Sequence, residues 1–507
     1  MVVRRRIAFL PGEISPCIRK DDGAIRSEKS AEAVVAACKG RRAKREGELE
    51  IRTLEGVQAS EARHPGRTGR GTGEAGPETG RDEAHSACRK DEGLGREDWL
   101  EQVLSRENMV AAWKRVKANK GSAGVDGLSI EETAESLKTQ WPKTREELLS
   151  GKYRPQAVRR VEIPKPGGGT RELGIPTVGD RLIQQALLQV LQPLIDPTFS
   201  EFSFGFRPGR NAHGAVQTAK QYVQDGYQIV VDVDLEKFFD RVNHDILMDR
   251  VAKRIADKRI LRLIRRYLQA GIMADGVVLE RSEGTPQGSP LSPLLANVLL
   301  DEVDKELERR GHKFVRYADD SNVYVRSRRA GERVLQSLKR LYAKLHLKVN
   351  ESKTAVGPTF GRKFLGYCFR RGSNNTVKIA VAPKALEAFK HRIRKITCRS
   401  GGRSLEQVAE QLRRYLPGWK SYFHLAQTPR TFKGLDSWIR HRLRAVQLKH
   451  WKRGRTVYRE VLKMGASSEL AAMAASRVQG WWHHSQSDLN EVLTVSYFDR
   501  LGVPRLS

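Results

Sequence analysis

Two pairs of aspartates are the residues best suited to chemistry in this sequence. Asp232 and Asp234 lie two apart in an alternating run that predicts a strand, so both carboxylates should point to one face. Asp319 and Asp320 are adjacent between two apolar runs, which predicts a turn joining two strands. Neighbouring carboxylates repel one another unless a cation lies between them, and hard oxygen ligands suit Mg²⁺. An isolated Asp-Asp pair is usually a solvated turn, but two such pairs together indicate a site for two metal ions.

A large positive charge limits the classes of partner. The chain has 507 residues, with 92 Lys and Arg against 60 Asp and Glu, and a formal net charge of +32. An excess of that size needs a polyanionic partner, and nucleic acid is the usual one. We expect no membrane partner, because the sequence has neither an apolar run of about 18 residues nor a long basic amphipathic helix.

The cysteines argue against a disulfide framework or a zinc module. They are five in number, widely spaced and never arranged as C-x-x-C. This pattern fits a reducing compartment, and the first residues contain no apolar core long enough for a signal peptide. We therefore expect a soluble, intracellular protein.

Composition and periodicity divide the chain into four parts. Residues 1–95 are dominated by Gly, Arg and Glu, which predicts a disordered or low-complexity extension, with an RNA-binding arm as the alternative. Strands interleaved with helices follow, then a helical block, so the expected class is α+β followed by an α domain. Within the first helices, the pattern at 130–149 is expected to be broken by Pro142. The three ordered parts are expected at 96–382, 383–452 and 453–507.

Three segments resemble the motifs of reverse transcriptases. Tyr317-Ala-Asp-Asp is similar to their signature box, and Asp234-Leu-Glu-Lys-Phe-Phe239 to their first acidic motif. Glu283-Gly-Thr-Pro-Gln-Gly-Ser-Pro-Leu-Ser-Pro293 resembles the motif that lies between them. Their order and spacing are similar to those of the reverse transcriptase/maturases encoded by bacterial group II introns. The resemblance implies a right-hand polymerase with fingers and palm, then a helical thumb or maturase domain, then a small basic DNA-binding region.

The resemblance also implies which residues hold two Mg²⁺ ions. Asp234 is preferred to Asp232, because the family's acidic residue stands five before an aromatic gate, here Phe239. A bulky ring at that position would clash with a 2′-hydroxyl and so select dNTPs, although Phe239 as simple packing is the alternative. The implied catalytic residues are Asp234, Asp319 and Asp320, and the implied metal ligands are Asp234, Leu235, Asp319 and Asp320.

A basic segment with a Pro/Gly-rich loop, residues 154–176, is suited to a triphosphate. Lys165 and Arg171 flank the loop, and a guanidinium offers a bidentate fork to phosphate oxygens. A generic basic hairpin on RNA is the alternative here, and a surface lysine is the alternative for Lys353. The implied nucleotide contacts are Lys165, Arg171, Phe239, Gln287 and Lys353.

Further motifs indicate contacts to nucleic acid. Phe204-Gly-Phe-Arg-Pro-Gly-Arg210 combines aromatic and cationic groups that suit a template strand. Phe364-Leu-Gly-Tyr367 resembles a primer-grip hairpin, in which Gly366 would permit close approach of the primer. The implied template and primer contacts are Arg207, Arg210, Phe364, Leu365, Gly366 and Tyr367. The expected intron RNA contacts are Arg440, Arg442, Arg444 and Lys449.

The function implied is RNA-directed DNA polymerisation with dNTPs on an RNA template and a DNA primer. The same protein would bind its intron RNA to assist splicing and mobility, and bind target DNA, in the bacterial cytoplasm near the nucleoid. A non-catalytic splicing maturase and a related enzyme recruited to host defence are the alternatives. Intact carboxylates argue against a scaffold, which has no need of mutually repelling charges. Trp481-Trp-His-His484 hints at an H-N-H nuclease, but no cysteine framework accompanies it, so no nuclease domain is expected.

Overall fold

The computed structural model describes residues 98–164, 170–274, 277–279, 281–476, 481–487 and 489–507. The extension expected at 1–95 and the predicted nucleotide contact Lys165 lie outside these residues. Among the described helices, none is long and apolar enough to cross a membrane.

Three helices open the described chain: α1 (Trp99–Val103), α2 (Arg106–Asn119) and α3 (Ile130–Leu149). Helix α3 starts at a capping box, in which Ser129 accepts from the N–H of Glu132 and the Glu132 carboxylate accepts from the N–H of Ser129. The expectation that Pro142 breaks this helix is wrong, because α3 runs through it without interruption. The capped start and the burial of residues on both sides of the proline hold the helix despite one missing hydrogen bond.

A small sheet with strand order β2-β1-β4-β5 packs near these helices. Strands β1 (Val158–Pro164) and β2 (Thr170–Ile175) are antiparallel, while β4 (Ile272–Ala274) runs parallel to β1 and pairs with β5 (Val277–Leu279). The basic segment at 154–176 therefore contributes two antiparallel strands to this sheet. Helices α4 (Val178–Ile195) and α5 (Ala212–Gln224) follow it in the chain.

The central sheet has the order β6-β7-β3-β8, and all its neighbours are antiparallel. Its strands are β3 (Ile229–Val233), β6 (Lys313–Tyr317), β7 (Asp320–Val325) and β8 (Ala355–Pro358). Both faces are buried: Val231 and Phe314 belong to one apolar core, whereas Val230 and Val315 belong to another. Alternate residues of one strand therefore enter different cores, which is why apolar residues occur on both faces of these strands.

The first core lies against the helices that surround the sheet on one side. These are α6 (His244–Ala252), α7 (Lys258–Gln269), α8 (Ser292–Arg309) and α9 (Arg328–Lys344), together with α1, α2 and α4. Helix α8 contributes many buried apolar residues and two buried aspartates, Asp301 and Asp304. The buried charges on α8 therefore need partners on neighbouring elements.

The second core joins the other face of the sheet to the C-terminal half of the chain. A three-stranded sheet, ordered β11-β10-β9, contributes β9 (Lys363–Phe364), β10 (Tyr367–Arg371) and β11 (Val377–Val381). The helical block predicted at 383–452 is confirmed, and its helices are α10 (Pro383–Ile396), α11 (Leu405–Tyr422) and α12 (Pro429–Trp451). Short helices complete it: α13 (Gly454–Lys463), α14 (Ser468–Ser476), α15 (Trp481–His484), α16 (Leu489–Val492) and α17 (Val495–Arg500). The chain is thus a mixed helix-and-strand region followed by a helical one.

Candidate active site

The acidic turn joins the edge strand β6 to its neighbour β7 in the central sheet. The register pairs Tyr317 with Asp320, which leaves Ala318 and Asp319 as a two-residue hairpin turn. Ala318 has a φ of 58°, in the left-handed region that costs a residue with a Cβ about 1–2 kcal/mol. The turn predicted from the sequence is therefore present, and it presents two adjacent carboxylates at the edge of the sheet.

Asp234 lies beside this turn, because β3 is the neighbour of β7 and Asp234 directly follows β3. Its N–H donates to the Thr354 hydroxyl at 3.2 Å, and its carbonyl accepts from the N–H of Asn350 at 2.8 Å. These contacts fix the main chain where the strand ends. The Asp232 carboxylate pairs with Arg362, with Nη1 and Oδ2 3.2 Å apart, and the Asp234 carboxylate lies 3.1 Å from Lys353 Nζ. Both aspartates thus have a cationic neighbour, and the preference for Asp234 over Asp232 stays a prediction from the motif.

The carboxylates perturb one another. Burial, and then the negative charges of Asp319, Asp234 and Asp232, raise the pKa of Asp320 to about 6. Burial, with a further contribution from Asp234, also raises the pKa of Asp319. Asp320 is nevertheless an exposed residue at the rim of the cleft, so solvent screens part of this interaction. The structure thus brings together the three aspartates that sequence reasoning singled out.

The chemistry of these donors fits a hard divalent cation. The Asp234 Oδ2 atom is buried and accepts no hydrogen bond, although Lys353 Nζ lies 3.1 Å away. Within the described residues no ready-made group of three or more His, Cys, Asp or Glu side chains surrounds a metal position. Mg²⁺ would supply the compensating charge that the carboxylates lack. The side chain of Leu235 is buried and apolar, so only its carbonyl oxygen is available as a ligand.

A buried arginine beneath the turn was missed by sequence reasoning. Arg316 is only 1% exposed, and its guanidinium pairs with Asp304 of α8 at 2.6–3.0 Å. Its Nη1 also donates to the carbonyl of Ala318 at 2.8 Å, inside the acidic turn. A charge-assisted hydrogen bond of this kind offsets the left-handed strain of Ala318. The Asp304–Arg316 pair is therefore the support on which the turn is built.

Gly205 closes the turn from the other side. A Cβ at Gly205 would lie 2.1 Å from the N atom of Ala318, so no other residue fits without displacing the turn. The carbonyl of Gly205 accepts from Asn297, whose amide oxygen in turn accepts from Arg316. The glycine between the two phenylalanines of the Phe204-Gly-Phe206 motif is thus explained by close backbone approach. The sequence analysis singled out the aromatic and cationic residues of this motif, but it is Gly205 that contacts the acidic turn.

Phe239 lies on a short 3-10 turn, Phe238–Asp240, that follows Asp234. Its ring packs edge-on against Phe238, with centroids 5.0 Å apart, and it remains partly exposed. Its carbonyl accepts from the N–H of Thr285 at 2.7 Å, and Gly284 has a φ of 88° with no room for a Cβ beside Asp240. The motif at 283–293 therefore holds the main chain of Phe239 in place.

The predicted nucleotide contacts Arg171 and Gln287 meet each other directly. Arg171 Nε donates to Gln287 Oε1 at 2.5 Å, and the N–H of Gly174 donates to the Gln287 carbonyl at 3.0 Å. Arg171 is exposed, and its positive charge partly offsets the rise in the pKa of Asp319. Lys353 is exposed as well and reaches Asp234. Three cationic or polar groups on different elements thus surround the acidic turn.

The predicted primer-contacting segment forms a tight hairpin turn. Phe364 pairs with Tyr367, so Leu365 and Gly366 are the two turn residues, with φ values of 48° and 80°. Two positive φ values are typical of a type I′ turn. The side chains of Phe364 and Tyr367 are buried in the second core, so the prediction that these two side chains contact primer is wrong. Only the turn residues, Leu365 and Gly366, remain available to contact primer.

The predicted template contact Arg207 is also wrong. Its side chain is 3% exposed and pairs with Asp196, with Nε and Oδ1 2.9 Å apart. Its remaining donors reach the carbonyls of residues 196, 200 and 203, so no donor is left for phosphate. Arg210 is partly exposed over the Phe204 ring, and Phe206 is 44% exposed with a φ of 60°. Phe206 and Arg210 are the groups of this motif that face solvent.

Comparison with known families agrees with this geometry. The family described as "Reverse transcriptase (RNA-dependent DNA polymerase)" matches residues 163–369, and "Group II intron, maturase-specific domain" matches residues 386–465. The chain carries a reverse transcriptase domain and a group II intron maturase-specific domain. All the carboxylates of the acidic turn and its supports fall inside the first domain, whereas α11 and α12 fall inside the second.

Curated relatives match part of the chain. Protein YkfC of Escherichia coli is 38% identical over 217 residues, which are 42% of this chain and 57% of that protein. The group II intron-encoded protein LtrA of Lactococcus lactis is 36% identical over 216 residues, 42% of this chain and 36% of LtrA. The matches thus span less than two thirds of either relative. A chain of the solved partial Cas6-RT-Cas1–Cas2 complex is 27% identical, covering 48% of this chain and 42% of that chain, with a TM-score of 0.32.

In the maturase-specific domain the predicted RNA contacts are mostly buried. Arg440 is 2% exposed and donates to Asp499 at 3.0 Å; Arg444 is 4% exposed and donates to the Leu493 carbonyl at 2.8 Å. Burial lowers the pKa of Arg444 to about 10. The prediction that these two arginines contact intron RNA is therefore wrong.

The remaining two predicted RNA contacts differ from each other. Arg442 is partly buried and donates to the hydroxyl and carbonyl of Thr397, whereas Lys449 is exposed. A signal for the burial was available, since Asp436, Arg440 and Arg444 repeat every four residues on one helical face. Only Lys449 keeps its cationic group fully in solvent.

Proposed function

We propose that this protein is an RNA-directed DNA polymerase that also binds its intron RNA to assist splicing and mobility. The observation that carries the proposal is the acidic turn, which places Asp319 and Asp320 beside Asp234, with the positive charge of Arg171 acting on Asp319. Three clustered carboxylates and a nearby guanidinium suit transfer of a nucleotidyl group between oxygens. The family matches and the intron-encoded relative support the RNA template and the intron as substrates.

Asp234, Asp319, Asp320 and the carbonyl of Leu235 would hold two Mg²⁺ ions. Such ions activate a primer 3′-hydroxyl and stabilise a pyrophosphate leaving group when bound. The chain's own residues do the positioning. Arg171 and Gln287, which are hydrogen-bonded to each other, would contact a dNTP, and Lys353, which lies 3.1 Å from Asp234, would face its phosphates. Lys165 would join this group.

Phe239 would select deoxyribonucleotides. Its main chain is fixed by Thr285 and its ring by Phe238, so the ring cannot move away cheaply from a 2′-hydroxyl. Arg210 and Phe206 would meet the template by a phosphate contact and a stacking contact. The Leu365–Gly366 turn would meet the primer backbone.

The domain organisation we propose has fingers and palm at 96–382, a thumb or maturase domain at 383–452 and a DNA-binding region at 453–507. Intron RNA contacts would come from exposed cations near the junction of α12 and α13 and not from the buried arginines of α12. These cations are Lys449, Lys452, Arg453 and Arg455. They are close in sequence, and the formal net charge of +32 supplies long-range attraction to RNA.

The test is primer extension on an RNA template, run beside RNA binding. Asp319→Asn should lower Mg²⁺-dependent extension at least about 100-fold and leave RNA affinity nearly unchanged, because one charge is lost from the metal site only. Asp249→Asn is the matched control, since Asp249 is an exposed aspartate on α6 outside the site.

Two results would contradict the proposal in different ways. If Asp319→Asn retained primer extension, the acidic turn would take no part in the polymerase reaction. Absence of extension by the unmutated protein, with assisted intron splicing intact, would favour the non-catalytic maturase.

A further inference from the structure

The last residue of α11, Tyr422, joins three parts of the molecule that belong to different elements. Its hydroxyl donates to the carbonyl of Leu365 at 3.0 Å, in the hairpin turn proposed to meet the primer. Its own carbonyl accepts from the hydroxyl of Tyr367 and lies 2.7 Å from Nε2 of His213 on α5. A residue of the maturase-specific domain therefore contacts the primer-side turn of the reverse transcriptase domain.

The turn at Leu365–Gly366 depends on this contact. Leu365 has a positive φ although it carries a branched side chain, which is a strained conformation. Such strain persists only where the surroundings hold it, and the Tyr422 hydroxyl is what meets the Leu365 carbonyl. The Gly366 carbonyl accepts from the N–H of Ala382 at 2.9 Å. The residue that follows β11 therefore holds the second residue of the turn.

The aromatic residues around Tyr422 pack closely against the Leu365–Gly366 turn. A Cβ at Gly366 would lie 3.3 Å from the Phe423 ring and 3.7 Å from the Tyr422 ring. The Tyr422 ring stacks on Tyr367, with centroids 5.9 Å apart and an interplanar angle of 28°. The end of α11 therefore packs directly against the turn, and its position sets the position of the turn.

The same tyrosine lies near the catalytic turn. Burial raises the pKa of Tyr422 to about 12, and the next contribution comes from Tyr317, the residue before Ala318 and Asp319. Tyr422 consequently keeps its proton, and remains a donor to Leu365, at the pH of any polymerase assay. Tyr317 and Tyr422 both pack against the second core, and Tyr422 contacts the proposed primer turn directly.

We propose that Tyr422 is a positioning residue for the primer: it fixes the Leu365–Gly366 turn at a set distance from the acidic turn. This inference rests on the proposed function, in which that turn meets the primer backbone. It assigns to the maturase-specific domain a part in placing the primer 3′ end, in addition to binding RNA. The nucleotide contacts at Arg171 and Gln287 lie on other elements and should not depend on it.

The experiment separates primer placement from nucleotide binding. Tyr422→Phe keeps the ring and its stacking on Tyr367 but removes the donor to Leu365. The expected result is a rise of about 2–10-fold in the KM for primer–template and in the Kd measured by anisotropy without Mg²⁺. The KM for dNTP and kcat at saturating primer should change less than about twofold. Tyr422→Leu should give a larger rise, because it also removes the stacking.

Tyr458→Phe is the matched control, since Tyr458 is 37% exposed on α13 and should alter neither constant. Melting temperatures of both phenylalanine variants show whether any effect comes from unfolding. An unchanged primer Kd and KM in Tyr422→Phe, or equal changes in the primer and dNTP constants, would overturn the inference. Failure of the unmutated protein to extend a primer would instead overturn the proposed function, and the Mg²⁺-free Kd would still test the contact to primer.

Discussion

Buried arginines support both the acidic turn of the reverse transcriptase domain and helix α12 of the maturase-specific domain, but they do so differently. Arg316 pairs with Asp304, and both side chains are 1% exposed. Arg440 pairs with Asp499, whose side chain is 30% exposed and lies in α17 near the end of the chain. The first pair is sealed inside a core, whereas the second pair ties the C-terminal segment to a helix.

The difference shows what each arginine holds in place. Arg316 also donates to the carbonyl of Ala318, so its pairing with Asp304 shapes the turn that carries the carboxylates. Near Arg440, the buried carboxylate of Asp436 accepts from the N–H groups of Leu506 and Ser507. Arginine burial thus supports the acidic turn in the first domain and packs the C-terminal segment in the second. Counting cations along the sequence does not separate these roles.

The largest expected effect comes from breaking the sealed pair. Arg316→Met should lower the free energy of unfolding by about 3–5 kcal/mol, because Asp304 is left buried without a partner. Chemical denaturation measures the loss. Arg328→Met is the control, since its pair with Glu332 is exposed and should contribute nothing measurable.

A double variant separates the two roles of Arg316. Arg316→Met combined with Asp304→Leu replaces the charged pair by apolar side chains, so it should recover most of the stability. Primer extension should stay low, because the Ala318 carbonyl still lacks its donor. Recovery of both stability and extension would show that the hydrogen bond to Ala318 does not shape the turn.

The basic helix should divide into residues that affect stability and residues that affect RNA binding. Arg440→Met should lower the free energy of unfolding by about 1–3 kcal/mol, because the Asp436 carbonyl loses the Arg440 guanidinium and Asp499 keeps only Arg505 as a donor. Lys449→Ala should leave stability unchanged and reduce the log–log salt dependence of RNA binding by roughly 0.7–0.9. Salt titrations and denaturation of both variants give the comparison. A reduced salt slope in folded Arg440→Met protein would contradict the burial of that guanidinium as the deciding factor.

The sequence was sufficient where function depends on local pattern. The alternating run before Asp234 and the turn at Asp319 follow from strand periodicity and from motif order. Arg316 and Gly205 could not be found in this way, because their partners are 12 and 113 residues away, at Asp304 and Ala318. Their roles depend on tertiary contacts that no short window of sequence contains.

The helical region exposed a second limit. Helix positions were predicted well, yet the face that Arg440 and Arg444 occupy was not, because it is covered by the segment after residue 488. A basic residue on an amphipathic helix faces solvent unless another element arrives to cover it. Whether another element covers the helix face depends on residues tens of positions later in the chain. The sequence of the helix alone does not predict it.

The smallest expected effect concerns the negative charge of Asp320 in the acidic turn. Unlike Asp304, Asp320 is not paired with a buried arginine among the described residues. The pKa of Asp320 is raised to about 6, so folding favours its neutral form. The stability that this form contributes is fully present below about pH 4, the ordinary pKa of Asp, and is lost as the pH rises through 6. Without Mg²⁺ at pH 8, Asp320→Asn should therefore melt above the unmutated protein, by on the order of 1 °C because solvent screens an exposed residue.

The sign of this effect distinguishes the acidic turn from an ordinary surface carboxylate. The difference in melting temperature should shrink as the pH falls from 8 to 5, and Mg²⁺ at pH 8 should reverse it by stabilising only the protein that keeps Asp320. Asp249→Asn is the opposite control, because Lys253 and Arg250 lower the pKa of Asp249 and its ionised form is the stabilising one. A melting temperature for Asp320→Asn that is equal to or below that of the unmutated protein at pH 8 without Mg²⁺ would mean that the turn carries no unbalanced repulsion. The carboxylates would then have compensation within the chain, and the reason to expect a metal there would rest on family resemblance alone.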